Sequence, residues 1–150
     1  MTTMAETNLT MQVYQVFIKA TPEQVWEGIT NPDFTEKYYY GGRIDSTLEP
    51  GTPFRMGLGD DVGVDGEVIE ADKPRRLVHT WRSLYDPSLV DEPASRVTWD
   101  IEAADGGITK VTVVHDRLEE APKTAKDVAG GWNYILSGLK TLLETGEGLR

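Results

Sequence analysis

The sequence predicts an α+β fold: an antiparallel sheet whose apolar face is covered by a long C-terminal helix. Three observations carry this. Five segments in the middle of the chain alternate apolar and polar residues, and most are joined by turns too short for parallel crossovers. Two short helical segments interrupt the chain after the first strand. The final stretch, residues 122–145, repeats Trp132, Ile135, Leu136, Leu139, Leu142 and Leu143 at helical spacing.

Taken in order, "MQVYQVFIKA" is rich in β-branched and aromatic residues and reads as a strand. In "ATPEQVWEGITNP", Thr21 suits an N-cap and Pro22 the first helical position. Gln24 lies three residues after the cap, as a capping box requires. Asn31-Pro32 ends this helix, because proline biases its predecessor away from helical geometry. Val25, Trp26 and Ile29 share one face. "DFTEKYYYGG" follows as a second short helix that Gly41-Gly42 terminates.

"PFRMGL", "VDGEVIEADK" and "RLVHTWRSLY" read as strands, with "GDDVG" and "DKPR" as the turns between them. "DPSLVDEPA" carries two prolines and several acids and is expected to be an exposed loop. "SRVTWDIEAA" and "ITKVTVVHDR" resume the alternation around a tight "DGG" hairpin. About five or six strands therefore follow the helix pair, and Gly146 closes the last helix.

Alternation also assigns faces. Leu77, His79 and Trp81 point one way, against Val78, Thr80 and Arg82. Val97, Trp99 and Ile101 form a second inward set, Val111, Val113 and His115 a third, and Phe54 and Met56 pair likewise. Both histidines of the chain fall on the inner face.

At 150 residues the chain suits one domain, with a core about 12–147 and some ten frayed residues before it. Cysteine is absent, which removes disulfides and thiolate metal sites. There is no signal-peptide pattern and no run near the ~20 apolar residues of a membrane span, so a cytoplasmic protein is expected. A balance of 25 acidic against 15 basic residues gives a net charge of -10, which disfavours nucleic acid and anionic membranes as partners. The basic cluster "KPRR" reads as a solvated turn.

Metal and nucleotide motifs find little support. Two histidines without cysteines or suitably spaced carboxylates leave zinc short of ligands. "DVGVDGEVIEAD" has Gly63 where a calcium loop needs a ligand, and "GLGDDVG" lacks dinucleotide-fingerprint spacing. No metal and no cofactor are expected. Ser83 and Ser95 lie near the aromatic strands but not in a nucleophile-elbow context. Inward tryptophans can simply fill a core; two inward imidazoles beside them also allow a pocket lined by aromatics with a few polar groups.

The segment "IKATPEQVWEGITNPDFTEKYYYGG", with "DKPRRLVHTW" and "GWNYILSGLKTLLETG", resembles the START-like (SRPBCC) superfamily, in its branch of activator of heat-shock-protein-90 ATPase homologues. The residues that carry the resemblance are Ala20, Pro22, Val25, Trp26, Thr30, Asn31, Pro32, Tyr38, Tyr40 and Gly41. It implies a helix-grip fold, a strongly curved sheet wrapped around the C-terminal helix and enclosing a cavity, with the first short helix wedged at one end. It also implies a small hydrophobic or aromatic ligand, in a metabolic or stress-related role. The expected lining is Phe54, Met56, His79, Trp81, Trp99, Val113, His115, Trp132 and Leu136, with Tyr38 and Tyr39 near the mouth. The alternatives are a cyclase or lyase using His79 or His115 as general acid-base, and a co-regulator of the chaperone ATPase. A homodimer and a chaperone partner stay among the open alternatives for assembly. Gly131 reads either as a close approach of helix and sheet or as a mid-helix irregularity.

Overall fold

A computed structural model describes residues 8–149. The expected frayed start falls largely on residues 1–7, outside the described residues, and Asn8–Thr10 forms a short 3-10 turn. Strand β1 (Gln12–Ile18) leads into helices α1 (Pro22–Thr30) and α2 (Pro32–Tyr38). Six strands follow: β2 (Arg43–Ser46), β3 (Pro53–Leu58), β4 (Asp61–Asp72), β5 (Arg76–Ser83), β6 (Ser95–Ala103) and β7 (Thr109–Asp116). Two helices, α3 (Pro122–Val128) and α4 (Gly131–Thr145), complete the chain. All seven strands form one antiparallel sheet in the order β1-β7-β6-β5-β4-β3-β2.

The capping box sets the first helix. The Gln24 amide donates to Thr21 Oγ1 at 3.1 Å, and the Thr21 amide donates to Gln24 Oε1 at 2.8 Å. Asn31 serves both helices: its amide closes α1 on the Glu27 carbonyl, and its side chain accepts from the Asp33 amide to open α2. Val25, Trp26 and Ile29 are buried, as expected of a wedge. Gly28 lies on the same face, where a Cβ would come within 2.8 Å of Leu139 Cδ1. The second helix meets α4 as closely, at Gly138, where a Cβ would lie 2.9 Å from Tyr38 Cβ. The Tyr38 hydroxyl ties the junction by donating to the Gly28 carbonyl at 2.8 Å.

Three elements differ from the sequence reading. β2 is an additional strand, held by pairing with β3 and by the Ile44 amide donating to Thr35 Oγ1. β4 begins at Asp61, because the hairpin turn is only Gly59-Asp60 and Asp61 and Val62 pair with Leu58 and Gly57. The C-terminal helix is broken: Ala129 is extended and Gly130 takes the left-handed region at φ 86°, so α3 and α4 meet at a bend that residues other than glycine rarely tolerate.

Curvature of the sheet follows from register shifts at Met56/Gly57 and between Val68 and Glu70. The inward sets align across the strands: His79 pairs with Val97 and Val97 with His115, while Leu77, Trp99 and Val113 form the adjacent row. All of these residues are buried, together with Phe54, Met56, Trp81, Ile101 and Val111. The outer face carries cross-strand ion pairs, including Arg96 to Asp116 and Arg76 to Asp100.

Candidate functional site

Where α3 bends into α4, the helices leave the curved sheet uncovered over part of its inner face. The gap is a cavity of about 380 Å³. Tyr39 and Tyr40, just after α2, form one wall. Met56 and Leu58 of β3, Gly63 and Val64 of β4, and Trp81 of β5 form the sheet side. Tyr85 from the loop after β5 faces Asp127 and Val128 of α3, and Gly131, Trp132 and Ile135 of α4 close the remainder. Tyr39, Trp81 and Trp132 are buried, whereas Tyr40 and Tyr85 are exposed at the rim. A second hollow, beside Trp26, Asn31 and Lys73, is a shallower and more polar surface feature.

Of the residues expected to line a pocket, Tyr39, Met56, Trp81 and Trp132 are on this wall. The rest lie elsewhere. Tyr38 is turned into the junction of the helices, and Val113 and Leu136 are buried in the main core. Trp99 packs edge-on against Trp132 with ring centroids 5.6 Å apart. Phe54 stacks on His79 at 3.7 Å. Tyr40, Leu58, Gly63, Val64, Tyr85, Asp127, Val128, Gly131 and Ile135 complete the lining without having been expected there. Only the sequence neighbours of Trp132 offered a signal, since Val128 stands four residues before it and Ile135 three after, the spacing of one helix face.

Behind the wall, polar groups are consumed by one another. The Trp132 indole N–H donates to His115 Nδ1 at 3.0 Å. Because an indole can only donate, Nδ1 is the bare nitrogen of a neutral ring, and Nε2 carries the proton that goes to Ser95 Oγ at 2.7 Å. Ser95 in turn donates to the Trp81 carbonyl at 3.2 Å. Burial pulls the His115 pKa down to about 3, reinforced by His79 and opposed by Asp116. His79 Nδ1 donates to the Thr80 carbonyl at 2.9 Å, and burial lowers its pKa to about 4 against the pull of that bond.

This arrangement is poor at acid-base chemistry. In the Ser95–His115 pair the imidazole donates to the hydroxyl instead of accepting its proton, the wrong sense for activating a nucleophile. Both residues are buried and neither lines the cavity. Among the described residues, no group of three or more His, Asp or Glu side chains is placed to hold a metal ion.

Among the described residues, two buried side-chain polar atoms have no protein partner: the Tyr39 hydroxyl and His79 Nε2. Of the two residues, Tyr39 lines the cavity. Burial, followed by the nearby Tyr38, Tyr85 and Tyr40 hydroxyls, raises the Tyr39 pKa well above its ordinary value, so the phenol keeps its proton. The buried Trp81 indole donates to Ser83 Oγ at 3.0 Å, and at the rim the Tyr85 hydroxyl donates to the Asp127 carboxylate. Burial and that carboxylate hold the Tyr85 pKa up.

Solved structures share this architecture. DynU16, from the dynemicin biosynthetic locus, superimposes with a TM-score of 0.76 at 24% identity over 94% of this chain, which spans about half (49%) of DynU16. CalU16 from Micromonospora echinospora gives 0.70 at 18% identity, covering 91% of this chain and 77% of its own. An Aha1 dimer from Colwellia psychrerythraea gives 0.73 at 19%, covering 92% and 98%. At these identities the likeness establishes the helix-grip fold. Among curated proteins, none matches the chain in sequence. Among the described residues no helix is long and apolar enough to cross a membrane. The sequence model of one family matches residues 19–144, nearly the whole span from the end of β1 to the end of α4, and the chain therefore belongs to the family described as activator of Hsp90 ATPase homolog 1-like protein.

Proposed function

We propose that this protein binds a small, largely apolar or aromatic molecule in the cavity between the sheet and the bent C-terminal helix pair. The observation that carries the reading is Tyr39, a residue on the wall of a cavity lined mainly by apolar and aromatic side chains, whose buried hydroxyl has no protein partner. An unpaired buried hydroxyl costs about 1–3 kcal/mol. A guest offering one hydrogen-bonding group would recover that cost while its apolar body loses water. About 380 Å³ falls within the range of small-ligand pockets. The imidazoles, expected as orienting groups, lie behind the wall and are largely occupied, which favours binding over catalysis.

Native mass spectrometry of the full chain purified from its own host tests this, combined with tryptophan emission of the emptied protein titrated with 2-naphthol. A retained small molecule, or a saturable emission change abolished by filling the cavity with Val128→Trp, is the expected result. The absence of both a retained species and a saturable change would overturn the reading.

A further inference from the structure

Resting on the reading that this cavity is a binding site, we propose that its occupant is an organic cation, an amine or quaternary ammonium carried on an apolar body. Five aromatic side chains, Tyr39, Tyr40, Trp81, Tyr85 and Trp132, share the wall, and among the described residues Asp127 is its one charged group. Aromatic faces are negative and attract cations, most strongly where water is scarce. Both indole N–H groups are turned to partners, Trp81 to Ser83 and Trp132 to His115, so these rings meet the cavity through carbon.

Asp127 gives this environment a sign. Among the described residues it has no ion pair with lysine or arginine, and the Tyr85 hydroxyl takes only one of the roughly four acceptor sites a carboxylate offers. The Tyr39 hydroxyl, buried and without a protein partner, offers a second acceptor. Among the described residues no lysine or arginine lines the cavity, so a carboxylate or phosphate ligand would find no counter-charge from them. The net charge of -10 raises the local concentration of cations and repels anions. A neutral guest would use the aromatic wall but gain nothing from Asp127.

The experiment follows the tryptophan indole signals of the full chain by NMR during titration with three probes. These are benzyltrimethylammonium, its uncharged isostere neopentylbenzene, and the anion phenylmethanesulfonate. The cation should bind roughly tenfold more tightly than the isostere, the anion should not bind measurably, and the preference should shrink at high salt. Asp127→Asn should reduce the preference by about threefold or more. Should that variant not fold, the isostere comparison and salt dependence of the unaltered chain decide alone. Equal or tighter binding of the isostere overturns the cation assignment and leaves the binding site standing. A preference that survives Asp127→Asn intact removes Asp127 from it, and failure of all three probes to move the indole signals overturns the cation assignment and counts against the cavity as a binding site.

Discussion

Trp132 donates its indole N–H to Nδ1 of His115, and this single bond fixes the tautomer of a fully buried histidine. The proton is left on Nε2, where Ser95 receives it, and no polar atom of the Trp132–His115–Ser95 set is without a partner. A ring held this way has no room for a second proton. Protonating Nδ1 would set two donors against each other inside the core.

That constraint makes stability depend on pH. His79 and His115 have folded pKa values lowered to about 4 and about 3, whereas in the unfolded chain they titrate near 6.5. Below that value the unfolded state binds more protons, so stability is full above about pH 6.5 and falls as pH drops towards the folded values. Between pH 7 and 5 each histidine should cost up to about 2 kcal/mol, in a window above most carboxylate titration. Urea melts across that range check this. Replacing His79 by Phe should flatten the slope by about half, and an unchanged slope would show that the ring protonates in the folded state.

Close packing of α2 on α4 predicts an asymmetry between two glycines. Alanine normally stabilises a helix by about 1 kcal/mol over glycine. At Gly138 the new methyl would meet Tyr38 Cβ, whose position is set by backbone, so Gly138→Ala should instead destabilise by about 1–3 kcal/mol. Gly28→Ala meets the end of the Leu139 side chain, which can turn aside, and should cost less. Thermal melts of the two variants test the order; a more stable Gly138→Ala would contradict the packing.

Removing the unpartnered hydroxyl separates stability from binding. Tyr39→Phe should raise the stability of the empty protein by up to about 1 kcal/mol, because a buried group without a hydrogen bond disappears. The same variant should weaken a guest that hydrogen-bonds there by roughly fivefold to tenfold. Lower stability in the variant would mean that the hydroxyl has a partner in solution.

Local signals were readable and crossings were not. The capping box at Thr21 and Gln24, the stop at Gly146 and the inward alternation of β5, β6 and β7 depend on near neighbours, and the structure agrees with each. β2 escaped because four residues with one buried apolar side chain, Ile44, show no alternation, and β3 supplies its stability from outside. The bend at Gly130 was hidden by an apolar stripe that continues from Val128 to Trp132 across it. Periodicity also told which side chains face inward, but not where along the sheet the helices fail to cover them. That depends on the bend, so Tyr40, Tyr85 and Asp127 were invisible as partners while Phe54 and Trp99 were indistinguishable from the wall.

The strand order carries a consequence for how the molecule is assembled. β2 to β7 can zip up hairpin by hairpin as they emerge, each beside its predecessor. β1 cannot: the strand beside it in the sheet is β7, and Val16 must find Val111 across most of the chain. Closing so long a loop is entropically costly and slow compared with local pairing. A nascent chain stopped before Thr109 would therefore hold its first strand unpaired on the ribosome, with Val16 and Ile18 awaiting the segment beside which they join the core.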